Sequence, residues 1–235
     1  MTPPLAAVVS GAALVGAVSG LLVPRLVAAL PEPDAGSGDG ADKLPYVTIA
    51  AVPRLGLWCA LMAAAACGVA AWSIGWSAGL PTWIYLGVVG VALGYVDWRT
   101  RLLPTRLVGP SYGVVAALAV LASAVTGDWS SLLRAAIGWA LAGGLYFVLW
   151  FIHPKGMGYG DVRLSGVLGI ALGWLGWGEL VVGVYSGFLL GAVVGGLLAV
   201  FKIVDAKRYA FGPFMLLGAL LGVVTGDLVA DWYMG

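Results

Sequence analysis

Two aspartates stand where an apolar chain has no casual use for them. Asp97 closes the run from Trp83 to Val96, and Asp161 ends the glycine-rich turn Lys155-Gly156-Met157-Gly158-Tyr159-Gly160 ahead of another apolar run. A carboxylate at the edge of a hydrocarbon layer is costly unless it faces the interior of a helix bundle or a water-filled cavity. Two carboxyls brought close together share a proton. Such a pair suits peptide hydrolysis. Its ionised member takes a proton from water, and the water attacks the scissile carbonyl. Its protonated member polarises that carbonyl and then helps protonate the leaving nitrogen. The pair titrates as a unit, so the sequence does not say which aspartate holds the proton at rest. Gly156, Gly158 and Gly160 fit the same chemistry: they permit unusual backbone angles and the close approach of an extended substrate. A helix starting there also offers free N–H groups. The structural alternative is that Asp97 is the polar end of a span, paired with Arg99 or Arg101, and that Asp161 is a helix-start acid.

The elements that must position these residues are membrane spans. The 235 residues are 61% hydrophobic and 10% charged, against about 25% charged in soluble domains. The expectation is an all-α polytopic transmembrane bundle of about eight spans. These are Leu5–Val23, stopped by Pro24, then about Leu55–Trp72, Leu80–Val96, Leu107–Val125, Leu132–Ile152, Val162–Trp177, Leu180–Phe201 and Phe211–Ala230. Residues 31–54, with Pro31-Glu32-Pro33-Asp34 and Gly36-Ser37-Gly38-Asp39-Gly40, read as a solvated linker. The chain thus divides into a first span (1–30), a cytoplasmic linker (31–54) and a membrane domain (55–235). No Lys or Arg precedes the first apolar run, which reads as an uncleaved span rather than a secretory signal.

Basic residues fix the orientation. Arg25, Lys43 and Arg54, then Arg99, Arg101 and Arg106, then Lys155 and Arg163, then Lys202, Lys207 and Arg208 fall in loops on one side. Only Arg134 falls on the other. Those four loops are therefore assigned to the cytoplasm and both termini to the outside, which brings Asp97 and Asp161 to the same cytoplasmic face. Gly183, Gly187, Gly191 and Gly195, and again Gly218, Gly222 and Gly226, recur every fourth residue and read as close-packing faces within the bundle. Tryptophans at span ends form an aromatic belt. Cys59 and Cys67 lie in one apolar run without a CxxC pair, so neither a metal site nor a disulfide is expected. The formal net charge of +1 says nothing about nucleic acid, and no basic patch is large enough to suggest it, so no nucleic-acid partner is expected. His153, the single histidine, reads as an interfacial polar residue near the Asp161 loop.

Gly158-Tyr159-Gly160-Asp161 is a GxGD motif. Its setting from Lys155 to Leu164 resembles the second active-site motif of type IV prepilin leader peptidases. Asp97-Trp98-Arg99-Thr100-Arg101-Leu102-Leu103-Pro104 resembles that family's first motif, and Arg208-Tyr209-Ala210-Phe211-Gly212-Pro213-Phe214 its FGPF segment. The resemblance covers about residues 80–225. It implies a membrane aspartyl endopeptidase of the inner (plasma) membrane, whose site faces the cytoplasm. Its substrates would be prepilins or pseudopilins, cut between a short basic leader and a hydrophobic helix. Carried over by motif, Asp97 and Asp161 are the catalytic pair, Gly158 and Gly160 shape the site, and Arg99, Arg163 and Arg208 support it. Arg163 stands where the family often has lysine, and Thr105 where asparagine is common. Long members carry a domain between spans one and two, often with paired zinc-binding cysteines, and many also N-methylate the cleaved pilin. Here that region is the cysteine-free 31–54 stretch, so the expectation is peptidase activity alone, without cofactor. The oligomeric state is left open. Competing readings are an ion- or proton-coupled carrier, an inert scaffold of a secretion system, and a GxGD protease with other single-span substrates. A carrier would place its acids near mid-span rather than at span ends on one face.

Overall fold

The computed structural model describes residues 3–32, 44–154, 157–195, 197 and 210–234. Among them every regular element is helical. In chain order these are α1 (Leu5–Gly20), α2 (Val23–Ala28), α3 (Tyr46–Ala50), α4 (Leu55–Ile74), α5 (Leu80–Thr100), α6 (Thr105–Thr126), α7 (Trp129–Ile152), α8 (Tyr159–Leu175), α9 (Trp177–Leu190), continued by a π-helical turn at Gly191–Gly195, and α10 (Gly212–Met234). Among the described residues seven helices are long and apolar enough to cross a membrane, with α1 and α2 counted as one span over Leu5–Ala28. The 17-residue α8 takes the sixth place in the expected order. The result is a polytopic all-α bundle and an integral membrane protein.

Pro24 does not stop the first span as expected. It sits in the first turn of α2, where its missing N–H leaves no helix bond unmade. The second half of the 31–54 stretch is also better packed than a solvated linker. Within α3, Tyr46 and Ile49 are buried. Glu32 accepts hydrogen bonds from the Tyr46 N–H (2.9 Å) and the Val47 N–H (3.2 Å). The Tyr95 hydroxyl of α5 then donates to the Ile49 carbonyl at 2.7 Å. The connection therefore returns to the helix that carries Asp97.

Close helix approach organises the rest. The expected glycine stripes do face each other across α9 and α10. A Cβ on Gly218 would lie 2.5 Å from the Gly187 Cα, and one on Gly222 would lie 2.7 Å from the Gly183 Cα. In lipid, where burial against acyl chains brings no hydrophobic gain, such backbone contact supplies the packing energy. A second contact of this kind joins α7 to α8, with Gly138 against Gly169 and Gly173.

Helix ends explain two polar residues on the opposite side. Asp128 caps α7, and the hydroxyls of Ser130 and Ser131, with the Ser131 N–H, hold its carboxyl down to about 2. Arg134 reaches from α7 to the last carbonyls of α8. Its Nε donates to Gly173 O at 2.7 Å, and its Nη2 to Trp174 O at 2.8 Å and to Leu175 O at 2.9 Å. The one basic residue on the other side is thus a C-terminal cap that meets the negative end of a helix dipole.

Gly218→Val should lower the melting temperature in detergent, with a stability loss of about 1–3 kcal/mol. Gly11→Ala, where an added Cβ meets nothing within 4 Å, should leave it unchanged. Arg134→Met should cost about 1.5–3 kcal/mol and raise amide hydrogen exchange in the last turn of α8.

Candidate active site

Asp97 and Asp161 lie at opposite ends of their helices but at the same end of the bundle. Asp97 sits one turn before the C-terminus of α5. There the chain leaves the helix through Arg101 in the left-handed region (φ 57°), whose N–H donates to the Asp97 carbonyl at 2.6 Å. Asp161 sits in the first turn of α8. Both are buried, at 4% and 6% exposure. That is too little for either to be an ordinary solvated end of a span.

Each carboxylate is held by a backbone N–H from a helix start. The Gly212 N–H, at the head of α10, donates to Asp97 Oδ2 at 2.8 Å. The Gly158 N–H donates to Asp161 Oδ2 at 3.1 Å, while the Asp161 N–H donates back to the Gly158 carbonyl at 3.0 Å. Asp161 is therefore also a helix cap, as the structural alternative foresees. The hydrogen bond from the Gly158 N–H uses one oxygen of that carboxylate. The carboxylates lie within electrostatic reach of each other.

Leu103 packs between the two loops. It follows α5 and lies against Gly160 of α8 on one side and Gly212 of α10 on the other. A Cβ on Gly160 would fall 2.8 Å from the Leu103 Cβ, and one on Gly212 would fall 3.4 Å from its Cδ2. This contact gives the GxGD glycines a different reason from the one expected. Gly158 has an ordinary extended backbone (φ −73°, ψ 144°), so it needs no special angle. Gly160 is required by the close approach of Leu103. Behind the site, the rings of Tyr146, Phe188 and Phe211 cluster, with Tyr146 and Phe188 stacked at 4.6 Å.

The arginines fall in different places. Arg163 hydrogen-bonds through Nη1 to the Thr105 hydroxyl, and its guanidinium lies over the Tyr159 ring at 4.8 Å. Its carbonyl accepts from the Tyr112 hydroxyl at 2.7 Å. Arg163 and Thr105, the two positions that differ from the common family residues, are thus partners. Together they tie the start of α8 to the start of α6. Arg99 is exposed in the last turn of α5, on the side of Tyr95. Arg208, Lys155 and Gly156 lie outside the described residues. His153 is exposed at the C-terminal cap of α7, on the approach to the Asp161 turn. Among the described residues no cluster of three or more His, Cys, Asp or Glu could hold a metal ion.

The roles of the Gly212 N–H and of Leu103 are not assigned by sequence reasoning. Both residues sit inside the motifs, but the Gly212 N–H reaches Asp97 across 115 residues, and Leu103 meets Gly160 and Gly212 of two later helices.

Comparison with known proteins places this geometry in a family. The profile of the type IV leader peptidase family matches residues 83–226, a stretch that contains both aspartates, Leu103 and Gly212. The prepilin leader peptidase/N-methyltransferase of Aeromonas hydrophila is 33% identical over 164 residues, which is 66% of this chain and 51% of that protein. The protein of the same name from Pseudomonas putida is 32% identical over 184 residues, covering 74% of this chain and 59% of its own length. That from Stutzerimonas stutzeri is 28% identical over 189 residues, covering 77% and 61%. The chain spans about half the length of the Aeromonas relative. No solved structure matches it. With the family profile covering more than half of its length, this chain belongs to the type IV leader peptidase family.

Proposed function

We propose that this protein is a membrane aspartyl endopeptidase that removes the N-terminal leader of type IV prepilins or prepilin-like proteins. The observation that carries the reading is the pair of buried carboxylates, Asp97 and Asp161. Each is held by one backbone N–H at the same end of the bundle, in a chain of the leader peptidase family.

In this reading one carboxylate is ionised and takes the proton of an attacking water. The other is protonated and donates to the scissile carbonyl oxygen, then the proton is passed to the leaving nitrogen. The N–H groups of Gly158 and Gly212 fix the orientation of the carboxylates. Gly160 lets Leu103 pack against the turn that carries Asp161. Arg163, locked by Thr105 and Tyr159, holds the α8 turn in place. Arg99 supplies positive charge at the same face. The excess of Lys and Arg in the loops on this side supports a cytoplasmic setting for this face, in an inner-membrane protein with both termini outside. The peptidase unit is residues 55–235, with 1–30 as an anchoring span. The relatives carry N-methyltransferase in their names. We assign cleavage alone to this chain, because its 31–54 stretch contains no cysteine.

Co-expression with a tagged prepilin tests the reading, with leader removal followed by mass spectrometry. Asp97→Asn and Asp161→Asn should each slow cleavage by at least about 10²-fold at unchanged membrane levels, and the mature product should carry no added methyl group. Cleavage that survives both substitutions would contradict the assignment. Gly212→Ala should also slow cleavage, because its Cβ would stand 2.8 Å from Asp97 Oδ2. The melting temperature in detergent should stay near that of the wild type, which separates a displaced carboxylate from a misfolded bundle.

A further inference from the structure

The aromatic cluster behind the site contains one hydroxyl. Tyr146 of α7 stacks on Phe188 of α9 at 4.6 Å, and its ring meets that of Phe211 at 6.1 Å. Phe211 leads directly into Gly212, whose N–H holds the Asp97 carboxylate. For packing alone, a phenylalanine would serve at position 146 as it does at 188 and 211. The hydroxyl needs its own reason, because a phenol O–H taken out of water is costly without a partner. Tyr85, Tyr95 and Tyr112 each have one, at Ser111, at the Ile49 carbonyl and at the Arg163 carbonyl. Tyr146 is 2% exposed, and among the described residues its hydroxyl makes no hydrogen bond.

Three observations place that side chain at the site. A Cβ on Gly187 of α9 would stand 3.8 Å from the Tyr146 hydroxyl oxygen, 3.6 Å from the Phe214 carbonyl oxygen and 3.3 Å from the Met215 Cα. The hydroxyl therefore lies beside the first turn of α10, the turn that begins with Gly212. Tyr146 and Ser165 also line one small cavity of about 10 Å³. Ser165 follows Asp161 by one turn on the same side of α8, so Tyr146 faces the side of α8 that carries the aspartate. The Ser165 hydroxyl is itself engaged, donating to the Val162 carbonyl at 2.8 Å. Finally, Asp161 lies within electrostatic reach of the phenol. Among the described residues the titratable groups that face Asp161 are Asp97 of α5 and Tyr146 of α7. Arg163, on α8 itself, is turned to Thr105 and Tyr159.

We infer that Tyr146 is a positioning residue of the reaction, whose hydroxyl directs its O–H dipole at Asp161 and supports that carboxylate whenever it carries the charge of the pair. A hydroxyl rotates to suit its surroundings, and one without a protein acceptor turns its proton to the nearest negative charge. The ring and the hydroxyl then serve different halves of the site. The ring backs Phe211, and through it the Gly212 N–H on Asp97, while the hydroxyl serves Asp161. This inference rests on the peptidase reading above and adds a group that tunes the pair.

Cleavage of a tagged prepilin by purified enzyme in detergent, followed across pH, tests it. Tyr146→Phe keeps the ring and removes only the hydroxyl. It should lower kcat about tenfold, the scale of one hydrogen bond to a charged group, at unchanged KM and melting temperature. Its pH–rate profile should move to higher pH, because a carboxylate that loses a donor holds its proton longer as pH rises. 3-Fluorotyrosine in place of Tyr146 keeps the hydroxyl as a stronger donor and should move the profile the other way. Tyr185→Phe, at a tyrosine 66% exposed on α9, should change neither rate nor profile. A profile unmoved by Tyr146→Phe would overturn the inference whether or not kcat falls, since lost packing slows an enzyme without displacing its titration. A displacement in the same direction by both replacements would overturn it too. Wild-type enzyme is run beside these. If it cleaves the precursor while Tyr146→Phe keeps its profile, only the role of Tyr146 fails. If it leaves the precursor uncut, the peptidase reading fails, and the inference with it.

Discussion

The structure depends on keeping two carboxylates out of water at one end of an apolar bundle. Each needs a fixed polar partner, because an unpaired buried charge is far costlier than a paired one. The partners are backbone N–H groups at the starts of α8 and α10, which no helix interior could supply, since there every N–H is already used. The two helix starts must therefore converge on one point, and Asp97 must arrive at the same depth from the end of α5. Leu103 fits because Gly160 has no side chain, and Asp97 fits against the head of α10 because Gly212 has none.

Such convergence demands rigid helices, and glycine contacts supply the rigidity. The α9–α10 and α7–α8 pairs touch backbone to backbone. Arg134 caps the far end of α8, while Arg163 with Thr105 anchors its near end. α8 is thus held at both ends, and Asp161 takes its position from that helix. The α4–α5–α10 side is built differently. There the helices leave a groove rather than a seam.

Much of this was legible in the sequence. The spans, the common face of Asp97 and Asp161, and the use of the Gly183 and Gly218 stripes for packing all follow from hydropathy, charge and four-residue spacing. What was not legible is tertiary. The Gly212 N–H reaches Asp97 across 115 positions. Arg163 and Thr105 look like two separate departures from a motif until the fold makes them partners. Arg134 looks like an exception to the charge rule until the carbonyls of α8 are seen around it. The glycines of the GxGD turn suggested unusual backbone angles, but Gly160 serves close contact, and only the position of Leu103 reveals that. In the 31–54 stretch the Pro- and Gly-rich composition masks Tyr46 and Ile49, two residues in a short helix that packs against α5.

The central claim is that Asp97 and Asp161 act as one proton-sharing unit. The most direct measurement is the cleavage rate of a purified prepilin by the wild type, by Asp97→Asn, by Asp161→Asn and by the double variant. Residues that act as a unit lose their function together. The account predicts that the double variant is no slower than either single one. Losses that multiply, with measurable cleavage left in each single variant, would show two independent contributions and contradict it.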